Sequence, residues 1–352
     1  MNLSEKVLSI EPSQTLVFNN KALEMIKKNY DVIKMTAGEP DFRTPEPIIE
    51  AAYEAMKAGK TKYTKSIGID ELRGKISEKL YVDNNLNYSA SEIIVTNGGK
   101  QAIFNTLMAI TNQGDEIIII SPAWVSYEAQ ILLCGGKVKI VNSKIENDFI
   151  PDIKDIENAI NEKTKAIIIN SPNNPTGAIY PATFLDELSK VIKKHEIFVI
   201  SDEVYEKLSF DAKHISIASF EGMKPYSIVI NAFSKSHSMT GWRIGYLAGP
   251  AEVVKQAQKI QSHLCSNVNT PTQYAALKAL DINPLYMIDA FKERRKFVSE
   301  KLDEANIDYF YPKGAFYFFI NVSKYFNSDL KNSYDFAIAL LEKGKVGLTP
   351  GS

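Results

Sequence analysis

Short apolar runs of strand length recur along this chain, and each ends in residues suited to turns or to chemistry. They are Ile93–Thr96, Glu116–Ile120, Ala166–Ile169, Ile197–Ser201 and Ile228–Ile230. Helical patterns alternate with them, including Glu71–Tyr81, Lys100–Ile110 and Pro181–Lys194; further on, Leu285–Ala305 reads as a charged helix with Arg294 and Arg295 on a solvated face, and Gly314–Val322 as a strand. A strand that is apolar on both faces needs cover on both. The alternation therefore predicts an α/β fold with a mostly parallel sheet sandwiched by helices.

The residues just past each run are as constraining as the run itself. They are, in chain order, Asn97-Gly98-Gly99, Ser121-Pro122-Ala123-Trp124, Asn170-Ser171-Pro172-Asn173-Asn174, Asp202 and Ser234-Lys235. Open α/β sheets bind ligands beyond the carboxyl ends of their strands, so these residues are expected at one edge and one site.

Composition narrows the partners. A chain of 352 residues can bury a sizeable core and is expected to form two unequal domains. A formal net charge of −1 gives no extended basic face for nucleic acid. Cys134 and Cys265 have neither metal-ligand nor framework spacing, which suits a reducing compartment and suggests no zinc site. The first residues lack the apolar core of a signal peptide, and no run reaches membrane-spanning length. A soluble cytoplasmic protein without nucleic-acid or membrane partners is expected.

The most distinctive stretch is Asn231–Tyr246, NAFSKSHSMTGWRIGY. Lys235 sits among small side chains, where its amine can reach into a pocket. Arg243, between Trp242 and Ile244, is expected to hold its guanidinium inside the protein, facing a carboxylate or phosphate. Together they suggest a lysine that condenses with a cofactor aldehyde and an arginine that grips the cofactor phosphate. The glycine pair before Lys100 and Gln101 exposes backbone amides at a helix start, a favourable place for phosphate. Trp124 could stack on a flat ring, and the Asn174 amide could donate to a phenolate. Asp202 could keep a pyridine nitrogen protonated, and Tyr205 could hydrogen-bond the same phenolic oxygen. Each has a plainer reading: a solvated lysine, a core tryptophan, a Pro/Asn turn, a helix cap.

Taken together, SPNNPTG around Asn174, Asp202-Glu203-Val204-Tyr205 and the lysine stretch resemble the class I and II aminotransferases. These are pyridoxal-phosphate enzymes of fold type I. The resemblance runs from about Pro12 onward and implies pyridoxal 5'-phosphate on Lys235. It implies cofactor contacts from Gly99, Lys100, Gln101, Trp124, Asn174, Asp202, Tyr205, Ser234 and Arg243. It further implies a homodimer in which Tyr63 reaches the other subunit's phosphate. Amino-acid and 2-oxo-acid substrates would meet Gly38, Thr15, Lys100, Trp124 and Asn174, with Lys100 reading the distal carboxylate. Ala232 stands three before Lys235, where many relatives carry a phosphate-binding serine, which leaves Ser234 as the candidate hydroxyl.

The resemblance implies residues 1–40 as an N-terminal arm and part of a small α+β domain, 41–280 as the large cofactor domain and 281–352 as the rest of the small domain. In the family this last part continues beyond Lys345–Ser352 and carries the arginine for the substrate α-carboxylate. The expectation is therefore an incomplete small domain and weak turnover of aspartate with 2-oxoglutarate, the preferred pair. The rivals are an aromatic or prephenate aminotransferase, a lyase of the same fold, and a cofactor-binding remnant.

Overall fold

The computed structural model describes residues 3–211 and 213–351. The outermost positions of the expected domains, at 1, 2 and 352, lie outside the described residues. Residues 33–34 form a short strand, β1 (Ile33–Lys34). Seven strands then build the main sheet: β2 (Ile93–Thr96), β3 (Glu116–Ser121), β4 (Lys137–Asn142), β5 (Thr164–Asn170), β6 (Phe198–Asp202), β7 (Ser227–Ala232) and β8 (Gly245–Ala248). Their spatial order is β2-β8-β7-β6-β5-β3-β4, and β8 alone runs against its neighbours. Later in the chain β9 (Tyr309–Phe310) and β10 (Phe319–Ile320) pair antiparallel, while β11 (Val346–Gly347) pairs parallel with β1.

The apolar runs become strands because both sheet faces are covered. In β3, Ile117 and Ile119 pack with Ile103 and Leu107 of the helix Gly98–Ile110. Ile118 and Ile120 point the other way, onto Leu185 and Leu188 of the helix Ala182–His195. Burying one such side chain contributes about 1.5–3 kcal/mol, so an uninterrupted apolar run is stable only between two helical layers. At the far end of the sheet, Ile93, Val95 and Tyr246 pack on Ile48, Leu72 and Ile76.

The structure adds β4 and β8 to the expected strands. In β4 only Val141 is buried, because it is an edge strand, and its Lys-rich alternation hides the usual apolar signal. The expected strand over residues 314–322 contracts to β10. Ala315 has φ 58°, outside the extended region, and Phe316 and Tyr317 pack against Tyr205 instead. Arg294 and Arg295 are not a simple solvated face. Arg294 forms a bidentate pair with Asp41 at 2.7 and 3.0 Å. Arg295 is nearly buried, bonded to Asp211 and to the Pro312 carbonyl at 2.9 Å.

Register carries the fold toward its site. Asn170 pairs laterally with Asp202, and Asp202 with Ile230, so β5 and β6 end level beside β7, which runs on to Ala232. Gly245 pairs with both Thr96 and Ala232, which brings the Gly98-Gly99 turn against the sheet. A Cβ at Gly245 would lie 2.7 Å from Asn231 O, 2.9 Å from Gly98 C and 2.9 Å from Gly99 N, all backbone atoms. Gly245→Ala should therefore cost about 1–3 kcal/mol in urea-unfolding free energy, as overpacking does. A loss within the error of the melt would show that the turn can retreat freely.

Candidate active site

Asp202 closes β6 and is buried. Its Oδ2 accepts a 2.6 Å hydrogen bond from the Tyr127 hydroxyl, and its Oδ1 a longer one, 3.3 Å, from the Val204 amide. Burial pushes the carboxyl up to about 6, against the pull of Tyr127, the Val204 amide and Lys235.

Lys235 lies on the one-turn helix Phe233–Ser236 directly after β7. Its ammonium donates to the Gly38 carbonyl and lies 5.7 Å from the Phe316 ring centroid. Burial lowers its pKa to about 8; Arg243 also lowers it, while Glu39 and Asp202 oppose. At pH 7 about one tenth of such an amine is neutral, against a few parts in ten thousand for an ordinary lysine.

Most of the other expected residues fall into two groups. Tyr205 is buried with its hydroxyl 2.5 Å from that of Tyr317. Asn174 uses its backbone N–H on Asn170 Oδ1 at 2.7 Å, and its side-chain amide is unpaired among the described residues. Buried Ser234 likewise has no side-chain hydrogen bond among them. In the second group, Trp124 packs edge-on to Tyr127 at 5.4 Å, and the Lys100 ammonium lies 4.8 Å from the Trp124 ring centroid. Desolvation and then Arg243 push the Lys100 pKa below its ordinary value. Gly99 rests against Ala232 and Ile230, beside Gly98 with φ 78°. A side chain at Gly98 would strike the Arg243 guanidinium, 2.6 Å away.

One expectation, the burial of Arg243, needs correction, and three residues stand apart. Arg243 is exposed, not held inside: φ is 53°, which turns it away from buried Ile244 and over the glycine turn. Its nitrogens reach Thr240 O at 2.8 Å and Asn97 O at 3.4 Å. The Gln101 side chain is already engaged: it accepts from the Asn97 amide at 2.7 Å and reaches Cys265 Sγ at 3.3 Å, so only its backbone can face a ligand. Thr15, in the first turn of the helix Gln14–Lys27, makes no hydrogen bond with this group among the described residues. Tyr63 is 87% exposed, although its loop is anchored by Thr270 to Lys62 O at 2.7 Å and by Gln273 to Thr64 at 3.1 Å.

Sequence reasoning missed Tyr127, Tyr317 and the polar layer behind Asp202. Glu203 Oε1 accepts from Ser201 at 2.8 Å and Ser216 at 2.6 Å, and His214 Nε2 lies 3.0 Å from Glu203 Oε2. Glu206, close by, takes the Lys79 ammonium and the Asn84 amide. Despite burial, Lys79 and His214 hold Glu206 down at about 2, so this layer is an ion-pair network with its charge already balanced. The spacing Trp124-x-x-Tyr127, one helical turn, was the available signal for Tyr127.

Fold and site together define an α/β enzyme in which a half-buried lysine and a buried carboxylate share the carboxyl edge of a mostly parallel sheet. The chain belongs to the class I and II aminotransferases, whose family model matches residues 30–352. It is 45% identical over 350 residues to an aspartate aminotransferase of Thermotoga maritima, covering 99% of this chain and 91% of that protein. It is also 45% identical to a probable aspartate/prephenate aminotransferase of Aquifex aeolicus, with 99% and 91% coverage. Among solved structures, the aspartate aminotransferase of Thermus thermophilus with maleate superposes with a TM-score of 0.96 at 39% identity, covering 100% of this chain and 92% of that one.

The Asp202 carboxyl makes a pH prediction for the protein without cofactor. A folded pKa of about 6 against 3.8 means the folded state binds the extra proton, so stability falls as pH rises from about 4 to about 6. Asp202→Asn should recover up to about 3 kcal/mol at pH 7.5 and progressively less toward pH 4.5. Urea melts at several pH values measure the difference, and a pH-independent difference would contradict it.

Proposed function

We propose that this aminotransferase transfers the amino group of aspartate to 2-oxoglutarate with pyridoxal 5'-phosphate, in the cytoplasm, as a homodimer. One observation carries the reading. Lys100, Lys235 and Arg243 gather at one sheet edge, where burial and the Arg243 charge depress the two lysines, next to a buried carboxylate. Cations held in this way suit a phosphate and dicarboxylic substrates.

The residues present fit the cofactor. Arg243, Ser234 and the backbone amides from Gly99 to Gln101 would hold its phosphate. Asn174 and Tyr205 would hold its phenolic oxygen, Trp124 would cover its ring and Asp202 would hold the ring nitrogen protonated. When bound, the cofactor supplies an aldehyde that takes up the amino group and a ring that withdraws electrons. Lys235 supplies the amine that carries it, and Nζ moves the proton taken from the substrate Cα. The Tyr205–Tyr317 pair and Phe316 line the Lys235 side and limit water there. Lys100 and Thr15 would face the substrate's distal carboxylate, and the Gly38 backbone its α-carboxylate. Anchored but exposed, Tyr63 would reach the phosphate bound by a second copy of the chain. Prephenate is the second keto-acid reading, favoured by Thr15 and Lys100 and by relatives named for both activities.

Two experiments test this. Borohydride treatment with pyridoxal phosphate, followed by peptide mapping, should place the label on Lys235, with labelling that rises through pH 8; a label elsewhere refutes the assignment. Lys100→Ala should lower kcat/KM for aspartate by about 1.5–3 kcal/mol of transition-state binding while sparing an uncharged amino acid. Equal losses would make Lys100 a support for the helix or the phosphate, not the reader of the side chain.

A further inference from the structure

The hydrogen bond at Asp202 Oδ2 is the shortest that this carboxylate makes, and its donor comes from another layer of the fold. Tyr127 lies on the helix Ser126–Leu133, 2% exposed, and spends its hydroxyl on Asp202 at 2.6 Å. Burial and Asp202 itself hold the phenol well above its ordinary pKa, so it remains a donor at every working pH. Among the described residues the second oxygen, Oδ1, is tied only by the 3.3 Å contact from Val204, while Asn170 Nδ2 fixes the Asp202 backbone carbonyl at 2.9 Å. One oxygen is thus clamped, and the other keeps lone-pair capacity for a further donor.

We propose that Tyr127 is a positioning residue: it fixes the plane of the Asp202 carboxylate and keeps it ionised, leaving Oδ1 to accept from the cofactor's protonated ring nitrogen. This rests on the role assigned to Asp202 above. Burial alone favours a protonated carboxyl, which has no charge to offer a ring N–H. A donor that binds the ionised form opposes this, and a phenol too weak an acid to give up its proton does so without moving charge. Trp124 lies just before this helix, three residues ahead of Tyr127 and packed edge-on to it. One short stretch therefore serves both the ring face and the ring nitrogen.

Tyr127→Phe keeps the ring and its packing and removes only the donor. The dissociation constant of pyridoxal phosphate, followed by absorbance from pH 5.5 to 9, should rise about tenfold near pH 7. The acid-side midpoint, where affinity falls, should move up by about one pH unit. In an Asp202→Asn background the same substitution should change neither. A folded Tyr127→Phe protein with an unshifted midpoint overturns the proposal, as does a uniform loss of affinity across the pH range, which is the signature of packing alone. If Asp202→Asn itself leaves cofactor affinity unchanged, the assignment of Asp202 fails first and takes this inference with it. Should Tyr127→Phe not fold, 3-fluorotyrosine at position 127, a stronger donor of the same shape, should move the midpoint down; no movement overturns the proposal.

Discussion

Strand register at the carboxyl end of the sheet is the constraint on which this structure depends. In a parallel sheet the lateral partner of each residue is fixed by register, and here Asn170, Asp202 and Ile230 lie side by side. A slip of one residue would swing every side chain of a strand to the opposite face. It would carry Asp202 away from Tyr127 and uncover the isoleucines that alternate between the two helical layers. The energy that fixes the register is hydrophobic, spread along the strands, whereas the chemistry sits at their last residues. Core and site are therefore set by one alignment.

The antiparallel strand β8 extends this alignment to the phosphate side. Gly245 lets backbone meet backbone, so the Gly98-Gly99 turn lies beside the end of β7, and Arg243, just before β8, lies over that turn. Cationic groups from different parts of the chain then share one edge, where burial and then Arg243 depress Lys100 and Lys235. Such a cluster costs stability while no anion is bound, and an anionic ligand repays that cost on binding. Behind the edge, the Glu203–His214 and Glu206–Lys79 pairs carry buried charge that is already balanced. The two polar layers differ in this respect: the rear one pairs its charges within the protein, and the front one is open to a ligand.

Much of the architecture could be read from local pattern. The five apolar runs coincide with strands to within a few residues, and the helices Gly98–Ile110, Ala182–His195 and Leu285–Glu304 begin and end close to their patterns. Pattern failed where burial was one-sided or the element was short. In β4 lysines alternate with apolar residues at the sheet edge, and β8 has four residues directly after a polar motif. The stretch at 314–322 reads as a strand by composition, yet its aromatic residues turn in to Tyr205 because that is where buried aromatic area is available.

By itself the sequence determined the α/β class, the strand ends that carry chemistry, and the residue types gathered there, because hydrophobic periodicity and functional-group chemistry are properties of neighbours along the chain. Only the tertiary structure decided which groups partner one another. Tyr127 and Asp202 are 75 positions apart, and nothing in either local stretch announces the other. Gln101 lost its side chain to Asn97 and Cys265, and Arg243 was turned outward by a positive φ, although its apolar neighbours suggested burial. Such pairings, and the depressed lysine and raised carboxyl that accompany them, depend on register and burial. Register and burial exist only once the layers have packed.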